Sequence, residues 1–293
     1  MKKGSSPLSQ RFKQLIVSSR PISWINTGFP FVAGYIATGG SLNSYVVVAS
    51  FYFLIPYNFL IYVVNDVFDY ESDVRNPRKN SVEGGLLPPE THRFMLFTTG
   101  LFNVAVLIYL FAYGHTASNL LLALIVLGAV SYSMPPLRLK ERAFFDSLNS
   151  SFHFVSPLVF ALVLTGWSSA YWIYVAAFFL WGCASHAFGA VQDITADRQA
   201  GIGSIATVIG AKYTVRLSLV LYSVVAALLV IAGWPAAIVC IPVLCYVAMV
   251  APYINLSDTD AERANKGWRR FLVINQFTGF VITVILISNK VKL

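Results

Sequence analysis

The sequence carries little charge for its length. Only 12% of its 293 residues are Asp, Glu, Lys or Arg, whereas an average soluble domain contains about 25%. Hydrophobic residues make up 57% of the chain. This composition excludes an ordinary soluble protein, and we expect a multi-pass protein of the cell membrane that contacts the lipid bilayer.

Cysteine is also scarce, because the chain has 3 in total and all of them fall in long apolar runs. Neither a disulfide framework nor a zinc site is therefore indicated. We find no glycine-rich phosphate loop and no nucleic-acid-binding module, and we expect no nucleic-acid partner. Stretches such as 120–130 and 220–231 are apolar on every face, which excludes the alternating pattern of a membrane β-barrel.

The charged residues fall in five stretches, with only Lys290 and Lys292 outside them. The stretches are residues 1–21, 65–93, 134–146, 191–216 and 255–270. A helix needs about 20 residues to span the hydrocarbon layer, so each of the four long uncharged runs holds two helices and the last run holds one. The sequence predicts an all-α bundle of nine transmembrane helices that forms a single domain over residues 1–293.

The long uncharged runs contain turn residues near their middles, at 38–41, 114–116, 166–169 and 233–235. None of these turns carries Lys or Arg. By the positive-inside rule, the charged stretches face the cytoplasm, including the N-terminal segment 1–21. The net charge of +8 then suits either anionic lipid headgroups or an anionic substrate.

Two acidic clusters follow apolar helices at this cytoplasmic edge. In the first, Asp66, Asp69 and Asp73 stand at i, i+3 and i+7, with Asn65 beside them. In the second, Asp193 and Asp197 stand at i and i+4. Each set lies on one face of a helix, where like charges repel unless a cation sits among them.

Oxygen ligands without nearby His or Cys suit Mg²⁺, which is commonly shared between carboxylates and substrate phosphates. Basic residues near the same edge suit a diphosphate. They are Arg20, Arg75, Arg78, Lys79, Arg138, Lys140 and Arg198. Pro135 and Pro136 end the fourth predicted helix in a stiff turn ahead of Arg138 and Lys140. The alternative interpretation of each acidic cluster is a solvated helix end. The alternative for each basic residue is that it only sets the orientation of the chain in the membrane by the positive-inside rule.

Other polar residues support weaker interpretations. Residues Asn26, Asn58, His153 and His186 lie inside apolar runs, where polar groups are costly. Either these residues form hydrogen bonds between helices, or one of them is a base that accepts a proton. The alternating charges that begin at Asp258 indicate a solvated helix-loop face.

Together these motifs resemble the UbiA superfamily of intramembrane prenyltransferases. The elements that carry the resemblance are N-D-x-x-D-x-x-x-D at 65–73, D-x-x-x-D-x-x-x-G at 193–201 and Y-S-x-P-P-L-R-x-K at 132–140. The resemblance implies a UbiA-like helical fold in which both acidic motifs bind Mg²⁺ and an isoprenyl diphosphate. The metal-binding and catalytic residues that it implies are Asp66, Asp69, Asp73, Asp193 and Asp197. The substrate-binding residues are Asn65, Arg20, Arg75, Arg78, Tyr132, Lys140 and Asn26.

Three further segments are similar to the bacterial lycopene elongases of C50 carotenoid synthesis: residues 19–27, residues 53–58, and residues 73–79 with 82–84. This resemblance implies transfer of a dimethylallyl group from its diphosphate to lycopene, with a carotenoid cyclase as a candidate partner. The alternatives are another acceptor, such as a quinone precursor, a chlorophyllide or an ether lipid, and a membrane transporter. The chain has Gly84-Gly85-Leu86-Leu87-Pro88-Pro89 where quinone and haem prenyltransferases usually carry Arg-Pro-Leu-x-x-Gly.

Overall fold

The computed structural model describes residues 7–74 and 85–290, and every regular element in those ranges is helical. The first helices are α1 (Pro7–Ser18), α2 (Ile25–Ala37), α3 (Ser44–Leu54), α4 (Pro56–Asn58), a π-helical segment (Phe59–Val63), α5 (Val64–Phe68) and α6 (Tyr70–Asp73). The later ones are α7 (Pro89–Tyr113), α8 (Thr116–Ser133), α9 (Phe145–Thr165), α10 (Trp172–Val191), α11 (Ile194–Ala200), α12 (Ile205–Ala232), α13 (Cys240–Val250) and α14 (Asn265–Lys290).

Eight segments of the described chain are long and apolar enough to cross a membrane. They are Ser44–Phe68, Pro89–Tyr113, Thr116–Ser133, Phe145–Thr165, Ser169–Val191, Ile205–Ala232, Ala236–Tyr253 and Asp258–Ser288. The remaining predicted span corresponds to α2, whose 13 residues extend about 20 Å. The all-helical multi-pass architecture is confirmed, whereas the count of nine spans stays a prediction. All four predicted turns lie between helices, and two of them contain a glycine with positive φ that ends a helix, Gly166 and Gly233.

The chain divides into two compact units, and the prediction of a single domain stays a prediction. The first unit contains Met1–Arg138 and Ser156–Thr165; the second contains Leu139–Val155 and Gly166–Leu293. The first has an aromatic core of fully buried rings, Phe31, Tyr52, Phe53, Tyr57 and Phe160. The rings of Phe31, Phe53 and Phe160 lie 5.3–6.0 Å apart, the spacing of favourable aromatic pairs.

The second unit has a core of its own around α10, α12, α13 and α14. Tyr222 and Tyr246 are fully buried and stack with their ring centroids 5.2 Å apart. Trp181 meets Tyr246 edge to face, and Phe271 stacks on Trp181. All three cysteines are free thiols, and Cys240 packs against this core.

The span Ser44–Phe68 is interrupted where proline enters it. Pro56 has no backbone N–H, so it cannot continue the hydrogen-bond ladder. The Nδ2 atom of buried Asn58 lies within hydrogen-bond distance of the carbonyl oxygens of Phe53 and Leu54, each 3.0 Å away. The same atom lies 2.7 Å from Oγ1 of Thr27 on α2.

A second amide supports the following turn. Asn103 of α7 donates from Nδ2 to the carbonyl oxygen of Pro56 at 2.8 Å. That carbonyl precedes the π-helical segment, where the regular α-helical bonding pattern changes. Two buried asparagines therefore supply the hydrogen bonds that lipid cannot.

Replacing Asn58 with alanine removes the side-chain donor of the Leu54 carbonyl oxygen and one of the two donors of the Phe53 carbonyl oxygen, which also accepts from Thr27 Oγ1. We expect the Asn58→Ala variant to lose about 1–3 kcal/mol of unfolding free energy, measured by thermal or denaturant unfolding in detergent micelles. The matched control is Asn119→Ala, because the Asn119 amide donates to the Phe111 carbonyl oxygen at an exposed position. Equal losses in the two variants would contradict the proposed support of the helix break.

Candidate functional site

The first aspartate motif occupies the short helices that follow the π-helical segment. Asp69 is the junction between α5 and α6, with φ −97° and ψ 0°. Its N–H donates to the Asn65 carbonyl oxygen at 2.9 Å, and the Asp73 N–H donates to the Asp69 carbonyl oxygen at 2.8 Å. The i to i+4 bonding continues through the junction, so the helical spacing expected for the motif is present.

Asp66 is completely enclosed, and both of its carboxylate oxygens have partners. Arg20 Nη2 lies 3.1 Å from Oδ1, and the Gly85 N–H donates to Oδ2 at 3.1 Å. A Cβ at position 85 would lie 2.8 Å from Oγ of Ser18, so a larger residue there would require the Ser18 side chain to shift. The second oxygen of Asp66 is thus satisfied by a backbone N–H group.

Arg20 is held in an unusual backbone conformation beside this carboxylate. Its φ is +53°, in the left-handed region that non-glycine residues rarely adopt. The guanidinium carbon lies 4.6 Å from the centre of the Tyr62 ring, in cation–π geometry. Burial acts to lower the pKa of Arg20, but the nearby Asp66 carboxylate and Tyr62 outweigh it, so the pKa is raised and the charge is kept. Such non-glycine residues in strained conformations are frequent at functional sites.

The end of α8 and the loop after it also contact the first motif. Ser133 donates from Oγ to Oδ1 of Asn65 at 3.1 Å. Arg138 has φ +39°, and its Nη2 lies 3.7 Å from Oδ1 of Asp69. α8 ends at Ser133, ahead of Pro135 and Pro136, as the sequence predicts.

The second motif repeats the local geometry of the first. Asp193 is the junction between α10 and α11, with φ −97° and ψ −4°, within a few degrees of Asp69. The Asp197 N–H donates to the Asp193 carbonyl oxygen at 2.8 Å, the same distance as between Asp73 and Asp69. α11 ends at Gly201, which has φ +69°. The two motifs are therefore alike in backbone as well as in sequence.

Hydrogen bonds join the second motif to Asp258 and to the backbone of α12. Arg198 Nη1 lies 2.7 Å from Oδ2 of Asp258, and its Nη2 donates to the Thr207 carbonyl oxygen at 2.9 Å. The Ala211 N–H donates to Asp258 Oδ1 at 2.7 Å, next to a kink at Gly210 where φ is +78°. The sequence interpretation of Asp258 as part of a solvated face is incomplete, because this carboxylate also bonds the backbone of α12.

The other predicted site residues are spread over several elements. Asn26 lies in the first turn of α2 and Tyr132 in the last turn of α8, both half-buried. Lys140 lies in a 3₁₀ turn, Leu139–Glu141, which belongs to the second unit. Arg75 and Arg78 lie outside the described residues. Arg138, the arginine that follows the paired prolines in the motif at 132–140, lies beside Asp69.

The chemistry of both motifs fits a hard divalent cation, because their side chains offer carboxylate oxygens. Within residues 7–74 and 85–290, no three His, Cys, Asp or Glu side chains are grouped closely enough to hold a metal ion. Each motif therefore offers a pair of carboxylates in place of a complete cage: Asp69 with Asp73, and Asp193 with Asp197. Mg²⁺ is commonly held by one or two carboxylates, with water and substrate phosphate completing its coordination.

Known proteins share both the sequence and the fold. The model of the UbiA prenyltransferase family matches residues 27–277. A lycopene elongase/hydratase of Corynebacterium glutamicum is 46% identical over 96% of this chain and 99% of its own length. The C(50) beta-cyclic carotenoids biosynthesis protein LbtBC of a Dietzia species is 45% identical over 93% of this chain and 64% of its own. A lycopene elongase/hydratase of Haloferax volcanii is 35% identical over 71% of this chain and 68% of its own.

Solved structures give the same fold at low sequence identity. A UbiA homolog from Archaeoglobus fulgidus, solved with DMAPP and Mg²⁺, superposes with a TM-score of 0.65 at 16% identity, covering 93% of this chain and 99% of the other. A digeranylgeranylglyceryl phosphate synthase superposes with a TM-score of 0.68 at 16% identity, covering 95% and 99%. With the family model matching most of its length, the chain belongs to the UbiA prenyltransferase family.

Proposed function

We propose that this prenyltransferase transfers a dimethylallyl group from its diphosphate to lycopene and so forms C45 and C50 carotenoids. The observation that carries the proposal is the 46% identity to the Corynebacterium lycopene elongase/hydratase along nearly the full length of both chains. The identity to the Dietzia C50 carotenoid protein supports the same substrate class. The neighbours at 16% identity, including the ether-lipid enzyme, share the fold and do not favour another acceptor.

We propose that the two aspartate motifs bind Mg²⁺ and, through it, the donor diphosphate. When bound, Mg²⁺ would neutralise charge that develops on the departing diphosphate. The ligands are Asp69 and Asp73 from the first motif and Asp193 and Asp197 from the second. Asp66 belongs to the predicted metal set, but its partners Arg20 and Gly85 favour a positioning role, in which it holds Arg20 beside the motif.

The cationic side chains supply the other half of donor binding. Arg20 and Arg138 already lie beside the first motif, and their guanidinium groups suit diphosphate oxygens. We also include Arg75, Arg78 and Lys140 as residues that contact the donor diphosphate, because the family resemblance implies that role. Asn65, Asn26 and Tyr132 complete the proposed substrate-binding set. We place these charged helix ends, and the active site with them, at the cytoplasmic face, as the positive-inside rule predicts.

The apolar spans have a chemical role in this reaction. Breaking the carbon–oxygen bond of the donor leaves an allylic cation that bulk water would capture as an alcohol. A site inside the membrane excludes that water and strengthens the electrostatic contacts to the leaving group. Lycopene, an apolar polyene, would reach the site from the lipid. A carotenoid cyclase stays a predicted partner.

Expression in lycopene-producing cells tests the acceptor assignment directly. We expect the wild-type chain to convert lycopene into C45 and C50 carotenoids, resolved by liquid chromatography and mass spectrometry. An empty vector is the control. Unchanged lycopene in cells whose membranes contain the protein would refute the assignment and direct the assay to quinone-precursor, chlorophyllide and ether-lipid acceptors.

Removing one carboxylate from either motif tests its part in the reaction. We expect Asp69→Asn and Asp193→Asn to lower product formation on the order of 100-fold or more, because each lost charge weakens metal-assisted stabilisation of the leaving group. Turnover is measured in isolated membranes with dimethylallyl diphosphate and lycopene. The matched control is Asp260→Asn, a surface position with a side chain that is 54% exposed. Near wild-type turnover in both motif variants would count against the metal proposal.

Metal removal provides an independent test. We expect EDTA to abolish product formation in isolated membranes, and added Mg²⁺ in excess of the chelator to restore it. The protein should stay in the membrane fraction throughout, because the spans do not depend on the metal. Full activity after exhaustive chelation would show that the motifs work without a divalent cation.

A further inference from the structure

A carboxylate, a serine and a histidine form a cluster inside the second unit, apart from the aspartate motifs. Asp146 in the first turn of α9 is completely enclosed. Its Oδ2 accepts the Ile205 N–H at 2.8 Å and its Oδ1 accepts the Ser147 N–H at 2.8 Å. Ile205 is the first residue of α12, so the carboxylate also lies at the positive end of a helix dipole. These contacts fix the position of the Asp146 carboxylate.

His186 of α10 lies against this fixed group. Its Nδ1 is 3.0 Å from Oγ of Ser147 and 4.0 Å from Oδ2 of Asp146. One turn earlier on α10, the Cys183 thiol contacts the Ser147 carbonyl oxygen at 3.8 Å. The His186 side chain is 22% accessible, whereas the Asp146 side chain is 0% accessible. One edge of the imidazole is therefore held by α9, while part of the ring can be reached from outside the core.

The carboxylate favours one form of this ring. A negative charge near Nδ1 stabilises the tautomer with its proton on Nδ1, in which Nε2 carries the lone pair. The same charge offsets part of the cost of burying the imidazolium that forms when Nε2 takes up a proton. His153, the other histidine near this cluster, is only 4% exposed. Of the two, His186 is the one accessible enough to meet a substrate.

The place of His186 on α10 relates it to the donor site. His186 lies within α10, and Asp193 follows the last residue of that helix, Val191, by two positions. His186 lies inside the candidate span Ser169–Val191, and Asp193 lies just beyond its end. If the diphosphate is held at Asp193 and the carbon skeleton of the donor extends into the membrane span, its reacting carbon lies towards the level of His186.

We propose that His186 accepts the proton released in the last step of the prenyl transfer, with Asp146 and Ser147 as positioning residues. The inference rests on the proposed function. The donor carbon–oxygen bond breaks and its electron pair leaves with the diphosphate. The π electrons of the terminal double bond of lycopene form the new carbon–carbon bond, and the neighbouring carbon becomes cationic.

Two courses neutralise this cation, and both release one proton. Either an adjacent carbon–hydrogen bond supplies its electrons to a new double bond, or the oxygen of a water molecule bonds to the cation and loses a proton. In both, His186 Nε2 takes the proton and the imidazolium pairs with Asp146. The proton then passes to solvent between turnovers, which returns the neutral ring.

The test replaces His186 with asparagine. The Asn amide keeps a hydrogen-bonding group near Ser147 but has no basic nitrogen. We expect turnover to C45 and C50 products to fall on the order of 100-fold, while the KM for dimethylallyl diphosphate stays within about threefold of wild type. The matched control is His115→Asn, because His115 caps α8 by accepting the Ser118 N–H, a role that asparagine also performs. We expect the control to keep wild-type turnover.

A second variant separates proton transfer from packing. We expect added imidazole to restore part of the activity of His186→Ala, because a free base can enter the space that the ring leaves. A purely structural role predicts no rescue. Membrane content of each variant, measured by immunoblot, normalises turnover, and rescue in the protein that remains is decisive even if His186→Asn is unstable.

The outcomes distinguish failure of the His186 inference from failure of the proposed function on which it rests. Absence of C45 and C50 products from wild-type membranes overturns the proposed function and the inference together. Wild-type products combined with undiminished turnover in His186→Asn overturn the inference alone. Wild-type products with an inactive His186→Ala that imidazole does not rescue also overturn it, since the ring then acts through packing.

Discussion

Backbone hydrogen bonds inside a membrane have to be satisfied by the protein, and the described helices are interrupted where side chains meet this requirement. At the break before Pro56, the amides of Asn58 and Asn103 bond the carbonyl oxygens of Phe53, Leu54 and Pro56. At the kink beside Gly210, the carboxylate of Asp258 bonds the Ala211 N–H. These irregular points flank the short helices that carry the aspartates.

The same requirement governs the charges. The enclosed carboxylate of Asp66 is paired with Arg20 and bonded by the Gly85 backbone. Asp146 is bonded by two backbone N–H groups. An unpaired charge in such surroundings would be strongly destabilising. The carboxylates of Asp66 and Asp146 are thus fully enclosed and bonded, whereas Asp69, Asp193 and Asp197 are only half-buried.

Sequence reasoning located the spans and the motifs because both depend on local patterns. Long apolar runs predicted the spanning helices, turn residues predicted their ends, and i, i+3 and i+4 spacing placed the aspartates. The contacts that organise the site were beyond such reasoning. Arg138 meets Asp69 across 69 positions of sequence, and Asp258 meets Ala211 across 47. Nothing in a local pattern specifies such pairs, so the sequence alone predicts a solvated face at Asp258 and assigns no role to Asp146. The apolar run at α2 predicts a membrane span, whereas the helix there has 13 residues.

The π-helical segment Phe59–Val63 also sets an angular register. Each residue of an α-helix turns the chain by about 100°, and a π-helical turn typically holds one residue more than an α-helical turn. Deleting one residue there would restore a regular α-helix and rotate everything after it by that angle. Asp66 would then face away from Arg20, with every motif residue chemically unchanged. The direction in which the carboxylates point thus depends on the number of residues in this segment, and the identity of the motif residues alone does not determine it.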